Sequence, residues 1–175
     1  MHERRRAVGT ATIARLLHAA PPADAGSGPP ARRRLHLAGD VVVVVDCYNA
    51  TPMTVTAALD DLASSASGRR VAVLGDLDGL GPDARRLHAE IGAHARQAGV
   101  EQLVVVGDLS RHAGTGFAAG VEWAPDADRA AALLPSLVQP GDTVLLAGPA
   151  ALERVADALQ AAGPAGTGPT HPREA

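Results

Sequence analysis

The sequence predicts one α/β domain with a Rossmann-like, mostly parallel sheet of five to six strands and helices on both faces. Short apolar runs, such as the five consecutive valines at residues 41–45, lack polar alternation and are typical of strands buried on both faces. Stretches of helical length alternate with these runs, which favours a layered α/β sheet. The connections are short, so right-handed crossovers between parallel strands are expected.

Strand and helix patterns alternate through the middle of the chain. The predicted elements, in chain order, are strands at 33–37 and 41–45, a helix at 52–65, a strand at 71–75, a helix at 82–97, a strand at 103–107, a helix at 110–117, a strand at 121–123, a helix at 126–138, a strand at 143–147 and a helix at 149–161.

Residues between the early elements support this order. Gly39 and Asp40 separate the first two strands and favour a tight turn, which predicts a hairpin. Thr51 suits the N-cap of the first helix, and Pro52 suits its first helical position. Gly99 follows the second helix at the left-handed position where helices commonly end.

The later elements follow the same logic. Gly114 and Gly116 interrupt the helical pattern at 110–117, which makes this the weakest predicted helix. Asp126 suits the N-cap of the helix that follows the short edge strand. The residues of that helix predicted to face inward are Ala130, Leu133, Leu134 and Leu137.

The folded unit is expected to span residues 32–162 of the 175. Residues 1–31 predict a short helix and then a linker rich in Pro, Gly, Ala and Ser. Residues 163–175 repeat that composition and predict a disordered tail. Aromatic residues make up only 2% of the chain, so the core must be built from Ala, Val and Leu.

The composition excludes several classes of function. All 16 basic residues are arginine, so the P-loop pattern G-x-x-x-x-G-K-S/T is absent from the chain, and so is chemistry that needs a lysine amine. The net charge of −3 and the few aromatic residues argue against a nucleic-acid or membrane partner. With one cysteine, Cys47, and no apolar segment of membrane-spanning length, the protein is expected to be cytoplasmic.

Acidic residues follow three of the predicted buried strands. They are Asp46, Asp76 and Asp108, and a glycine at position 148 follows the last strand. Ligands of open α/β sheets bind beyond the carboxyl ends of the strands, where a carboxylate can accept a ribose hydroxyl or hold a magnesium-bound water. Each carboxylate can equally cap the turn that follows it. Both interpretations remain open at this point.

Two longer strings are more specific. Residues 45–52, V-D-C-Y-N-A-T-P, resemble the D-x-Y-N-A-N-P motif of Mur ligases. Residues 72–77, A-V-L-G-D-L, together with L-G at 80–81 and L-H-A-E-I-G at 87–92, are similar to that family's A-V-L-G-D-M-x-E-L-G…L-H-x-x-x-G. Within the family, the pattern most resembles the members that add D-alanyl-D-alanine to a UDP-muramoyl tripeptide.

The resemblance implies the C-terminal domain of a Mur ligase, a Rossmann-like unit that closes over a nucleotide. It implies that ATP and magnesium act only together with a partner that carries the P-loop. By position in the motifs, Asp46, Tyr48 and Asn49 are predicted to contact the nucleotide. An arginine just before the first strand is usual in the family, and Arg32, Arg33 and Arg34 all fit as the residue that would contact a phosphate of the nucleotide. Arg34 is the one predicted to bind the nucleotide.

Three further motif residues are predicted to be substrate-facing or structural: Thr51, Asp76 and His88. The resemblance assigns no catalytic residue and no metal ligand to this chain.

The chain also departs from the family pattern. Thr51 replaces an asparagine, Gly79 replaces a glutamate, and the family's K-G-S-R segment after the last strand reads A-G-P-A at 147–150. In the family that segment helps to hold the incoming substrate, and losing two charge-assisted contacts would weaken binding by about a hundredfold or more.

Three hypotheses for the function follow. In the first, the domain is a component of ATP-dependent carboxylate–amine ligation and acts with a separate P-loop subunit. In the second, it is a non-catalytic module that binds a nucleotide or a muropeptide fragment unaided. In the third, it is a vestigial domain with no ligand.

Overall fold

The computed structural model describes residues 32–118 and 120–162 of the chain. The helix predicted at Arg4–Ala20, the linker that follows it and the tail predicted at 163–175 lie outside these residues. The described residues all fall within the predicted folded unit, 32–162, whose bounds stay a prediction.

Six strands form one sheet with the order β1-β2-β6-β3-β4-β5. The strands are β1 (Arg33–Leu37), β2 (Val41–Asp46), β3 (Arg70–Gly75), β4 (Gln102–Val106), β5 (Val121–Ala124) and β6 (Thr143–Ala147). Only β1 is antiparallel to its neighbour, because it forms the predicted hairpin with β2; all other pairs are parallel. The predicted mostly parallel sheet is confirmed.

Five helices cover the two faces of this sheet. They are α1 (Pro52–Ser65), α2 (Ala84–Gln97), α3 (Arg111–Phe117), α4 (Ala127–Leu137) and α5 (Glu153–Ala162). Helices α1, α2 and α3 bury their apolar residues in the core on one face, and α4 and α5 do so on the other. Within the described residues, no helix is both long enough and apolar enough to cross a membrane.

The valine run of β2 supplies both cores, as a strand buried on both faces must. Val43 and Val45 belong to the core on the face covered by α4 and α5, whereas Val44 belongs to the core on the face covered by α1, α2 and α3. In α4, Ala130 and Leu134 are buried as predicted. The other two residues predicted to face inward, Leu133 and Leu137, are only partly buried.

The predicted helix boundaries have the expected local causes. Thr51 and Thr54 form a reciprocal capping box at the start of α1. The Asp126 side chain accepts the backbone N–H of Arg129 at the start of α4. Gly99 has a φ of 76° just beyond α2. Helices α2 and α5 begin slightly later than predicted, because a 3-10 turn precedes each of them.

Helices α2 and α3 touch backbone to backbone. A Cβ atom added to Gly92 of α2 would overlap the carbonyl oxygen of Ala113, and one added to Gly116 of α3 would overlap that of Ala89. The glycines that weaken α3 as an isolated helix therefore include one, Gly116, that is needed for its close packing on α2.

Candidate functional site

A cleft of about 430 Å³ opens at the carboxyl ends of β2, β3 and β6. The residues that line it are Cys47, Tyr48, Asn49, Ala50, Thr51, Asp76, Asp78, Gly148, Pro149 and Ala150. Strands β2 and β6 are neighbours, but the chain leaves β2 toward α1 on one face and leaves β6 toward α5 on the other. The cleft therefore lies at the switch point where ligands of such sheets bind.

The loop after β2 presents two polar side chains to this cleft. The Tyr48 side chain is 60% exposed. Asn49 adopts a left-handed backbone conformation with a φ of 52°, which asparagine tolerates better than most residues. Thr51 lines the cleft as well, but its hydroxyl oxygen accepts the Thr54 N–H at 3.2 Å and caps α1. Tyr48 and Asn49 are thus the more available ligand contacts of this loop.

Cys47 contributes a buried thiol to the cleft wall. Its Sγ donates to the carbonyl oxygen of Leu146 over 3.7 Å. Burial, followed by the nearby carboxylates of Glu153 and Asp46, raises the pKa of the Cys47 thiol to about 12. The thiol therefore stays protonated at neutral pH and is a poor nucleophile.

Asp76, in the loop after β3, has a structural contact in addition to its place in the cleft. Its Oδ1 accepts the backbone N–H of Ser110 at 2.7 Å, which joins the loops that follow β3 and β4. Gly107 is needed for this contact, because a Cβ there would lie 2.5 Å from the Asp76 carboxylate. Asp78, two residues further on, is exposed and also lines the cleft.

His88 lies beneath the same loop and is not part of the cleft lining. It is 2% exposed. Its Nε2 accepts the Leu77 N–H at 3.1 Å, so Nδ1 carries the proton and donates to the carbonyl oxygen of Ala84 at 2.7 Å. These contacts hold the start of the loop after β3 against α2. The geometry favours the structural interpretation of His88.

The loop after β6 is packed too tightly to carry large side chains near β3. A Cβ on Gly148 would lie 2.9 Å from Cα of Gly75, and a Cβ on Gly75 would lie 2.5 Å from Cδ of Pro149. Gly148, Pro149 and Ala150 line the cleft without offering a charge or a side-chain hydrogen bond. This is the segment where the family motif carries a lysine and an arginine.

The predicted arginine and aspartate lie outside the cleft lining. Asp46 Oδ2 forms an ion pair with Nε of Arg32 at 2.7 Å, and Arg32 also contacts Asp61 of α1. Arg34 points along α1, with Nη2 3.4 Å from Oγ of Ser65 at the C-terminal end of that helix. Neither Asp46 nor Arg34 lines the cleft, and their nucleotide contacts stay predictions.

The structure thus gathers four of the predicted site residues in one cleft, namely Tyr48, Asn49, Thr51 and Asp76. The sequence interpretation missed Asp78, although its place two residues after Asp76 was an available signal. Within the described residues, no group of three or more His, Cys, Asp and Glu side chains is arranged to hold a metal ion.

Comparison with known proteins identifies the class. A family model described as "Mur ligase, glutamate ligase domain" matches residues 33–150, which is more than half of the chain. The chain belongs to the Mur ligase family and corresponds to its C-terminal domain.

The relatives make the resemblance more specific. The UDP-N-acetylmuramoyl-tripeptide--D-alanyl-D-alanine ligase of Mycobacterium tuberculosis is 36% identical, over 85% of this chain and 34% of that protein. The Escherichia coli ligase of the same name is 34% identical, over 72% of this chain and 28% of that protein. This chain therefore spans about a third of the length of the curated relatives that it matches.

Solved structures show the same fold. The MurF ligase of Thermotoga maritima in complex with ADP has a TM-score of 0.64 and 21% identity, over 86% of this chain and 36% of that one. A MurF structure from Acinetobacter baumannii has a TM-score of 0.65 and 21% identity, over 79% of this chain and 31% of that one.

Proposed function

We propose that this domain forms one wall of the active site of an ATP-dependent carboxylate–amine ligase, and that a domain or subunit with a P-loop forms the other. The observation that carries the proposal is the cleft at the carboxyl ends of β2, β3 and β6, in a Mur ligase domain that matches a third of its relatives' length. Tyr48 and Asn49 are the side chains best placed to meet a nucleotide across such an interface.

The charges of the cleft support a shared site. No arginine or histidine lines it within the described residues, and two carboxylates do. This lining does not fit a triphosphate, because like charges would face each other without a compensating cation. The 175 residues also contain no lysine for a P-loop. A partner would therefore hold the phosphates and the magnesium ion, and this domain would contact the uncharged part of the nucleotide and the amine substrate.

The relatives' names suggest the chemistry of the complete enzyme. The ligases of M. tuberculosis and E. coli are named for a UDP-N-acetylmuramoyl-tripeptide and for D-alanyl-D-alanine. By analogy, the reaction served by this domain joins a peptide carboxylate to an amine in peptidoglycan synthesis or in a pathway that shares its chemistry.

A chimaera tests the proposal directly. In the M. tuberculosis ligase, the segment that aligns with this chain is replaced by this chain, and ATP-dependent amide formation is measured with a panel of amines. We expect ligation of at least one amine, and a loss of about tenfold or more when Tyr48→Ala and Asn49→Gly are combined. Asp157→Asn, on the exposed side of α5, is the matched control and should leave the rate unchanged.

A folded chimaera that ligates none of the amines would contradict the proposal. The binding-module hypothesis is then tested by calorimetric titration of the isolated chain with magnesium ATP. From the acidic cleft we expect no saturation, which corresponds to a dissociation constant weaker than about 1 mM. Tight binding by the isolated chain would favour an autonomous nucleotide-binding module instead.

A further inference from the structure

The loop after β3 places two cleft-lining side chains on either side of one buried residue. Asp76 and Asp78 line the cleft, whereas the side chain of Leu77 between them is 3% exposed and belongs to the core on the face covered by α1, α2 and α3. Adjacent Cα atoms are only about 3.8 Å apart, so the backbone at Leu77 determines where both carboxyl groups stand in the cleft wall.

The backbone of Leu77 is held by one histidine of α2. The Leu77 N–H donates to Nε2 of His88 at 3.1 Å, and within the described ranges this ring nitrogen is its only hydrogen-bond partner. Both side chains are buried. Because a buried backbone N–H that loses its acceptor costs free energy, the chain at Leu77 would have to move toward solvent if His88 no longer accepted this bond.

The part of the loop that follows Leu77 has few contacts of its own. Positions 78–80 form no hydrogen bond with another helix or strand in the described part of the chain, and the Leu80 side chain is only partly buried. A Cβ added to Gly79 or Gly81 would meet no atom within 4 Å, so this stretch borders open space. The place of Asp78 thus depends mainly on the residue before it.

Histidine suits position 88 because its ring carries a donor and an acceptor at different distances from the backbone. Nδ1 donates to the carbonyl oxygen of Ala84 at 2.7 Å, one turn earlier in α2, which leaves Nε2 at the far end of the ring as the acceptor for Leu77. Glutamine can present a carbonyl oxygen at about the place of Nε2, whereas leucine fills space but has no acceptor. These two substitutions therefore separate the acceptor from the packing of the side chain.

We propose that His88 is a positioning residue of the cleft: through the Leu77 N–H, its acceptor nitrogen sets the backbone that carries the two cleft carboxyl groups. The inference rests on the proposed function, because that function makes this cleft a wall of the active site. His88 touches no ligand in this role and acts through Leu77. The contact of Asp76 with the Ser110 N–H then joins the positioned loop to the loop after β4.

The tautomer of His88 is the first test, because the proposal requires one form of the ring. In the ¹⁵N-labelled full chain at neutral pH, the ring spectrum should show a proton on Nδ1, none on Nε2, and a coupling from Nε2 to the Leu77 amide nitrogen across the hydrogen bond. A proton on Nε2 would leave Leu77 without its acceptor and would overturn the proposal. This measurement needs no variant, so it does not depend on how a substituted chain folds.

A set of variants then separates the acceptor from packing. In His88→Leu, hydrogen exchange of the Leu77 amide should be about tenfold faster or more, and the amide signals of residues 76–81 should move. His88→Gln should bring both readouts most of the way back to the wild type. His94→Gln is the matched control on the same helix, because His94 contacts Asp60 of α1 and not this loop. Equal effects of leucine and glutamine at position 88 would contradict the proposal.

The effect on the reaction is measured in the chimaera. His88→Leu should slow amide formation by about tenfold or more, because a displaced cleft wall holds the reactants less well, and His88→Gln should recover most of the rate. Unchanged ligation by His88→Leu would overturn the proposal. If the unsubstituted chimaera ligates no amine, the proposed function is wrong, and the ring and exchange measurements on the full chain still decide whether His88 positions the loop.

Discussion

At the scale of single residues, the cleft depends on a backbone conformation that few side chains adopt. Asn49 has a φ of 52°, and the only other described non-glycine residues with positive φ are Asp40 and Ala118. The left-handed turn at Asn49 lets the chain leave β2, expose Tyr48 and still reach the cap of α1 at Thr51. The backbone conformation alone thus explains why an asparagine suits this position of the motif, whether or not its side chain contacts a ligand.

Substitutions at Asn49 should separate these two roles. Asn49→Gly keeps the left-handed conformation and should change the free energy of unfolding by less than about 1 kcal/mol. Asn49→Val places a β-branched residue in this left-handed conformation and should lower the free energy of unfolding by about 1–2 kcal/mol more than Asn49→Gly does. Urea denaturation followed by circular dichroism measures both. Equal stability of the two variants would show that the backbone conformation is not the constraint.

Cys47 should behave as an inert thiol in the folded protein. With a pKa of about 12 in place of the ordinary 9.0, its thiolate is about a thousandfold rarer near pH 8. Reaction with a disulfide reagent should be slower by about that factor in buffer than in concentrated guanidinium chloride. Similar rates in the two solvents would mean that the thiol is exposed or activated, and Cys47→Ser supplies the baseline.

At the scale of elements, α3 is held by its contact with α2. The helix has only seven residues, two of them glycines, and is too short to be stable alone. The two glycines differ in their surroundings, however. A Cβ on Gly116 would overlap the Ala89 carbonyl oxygen, whereas a Cβ on Gly114 would lie 3.3 Å from Cγ1 of Val121, a side chain that can move slightly.

Alanine at the two glycines of α3 should therefore have different effects. Gly116→Ala should lower the free energy of unfolding by about 1–3 kcal/mol, because the overlap forces α2 and α3 apart. The free energy of unfolding of Gly114→Ala should stay within about 1 kcal/mol of the wild-type value, since the gain in helix propensity offsets the closer contact with Val121. Chemical denaturation of the pair measures the difference. Equal effects would contradict the packing described here.

At the scale of the whole molecule, the carboxylates at the two ends of the sheet differ in their exposure to solvent. At the carboxyl end, Asp76 and Asp78 line an open cleft. At the amino end, Asp142 is only 2% exposed, and its Oδ2 accepts the Gln139 N–H at 2.8 Å and lies 3.5 Å from Nη1 of Arg69. Burial raises the pKa of the Asp142 carboxyl group, and this effect is larger than the opposite effects of the Gln139 N–H and of Arg69.

This raised pKa predicts a pH-dependent contribution to stability. A carboxyl group with a higher pKa in the folded state than in the unfolded state favours folding most when it is protonated. Its contribution is therefore full below the ordinary value of 3.8 and is lost as the pH rises through the raised pKa. Relative to the wild type, Asp142→Asn should gain stability over that interval. Urea midpoints between about pH 3 and 7 test this, and parallel curves would contradict it.

Most of the fold could be predicted from the sequence, because the residue patterns that indicate its strands and helices are local. The valine run, the Thr51 cap and Gly99 each act within a few residues, and the predicted strands and helices lie close to those observed. The site was predictable only in part. Motif position placed Asp46 at the end of a strand and His88 within a helix, but it does not reveal that Arg32 pairs with Asp46 or that the Leu77 N–H binds His88.

The place of β6 in the sheet has a consequence for how the chain folds as it is synthesised. Strands β2 and β3 do not pair with each other, since each pairs with β6, which is made last. Until residues 143–147 emerge, the β1–β2 hairpin has no partner in the rest of the sheet. We expect ribosome-bound chains that stop before β6 to be sensitive to protease, and protection to appear abruptly once β6 and α5 have left the exit tunnel.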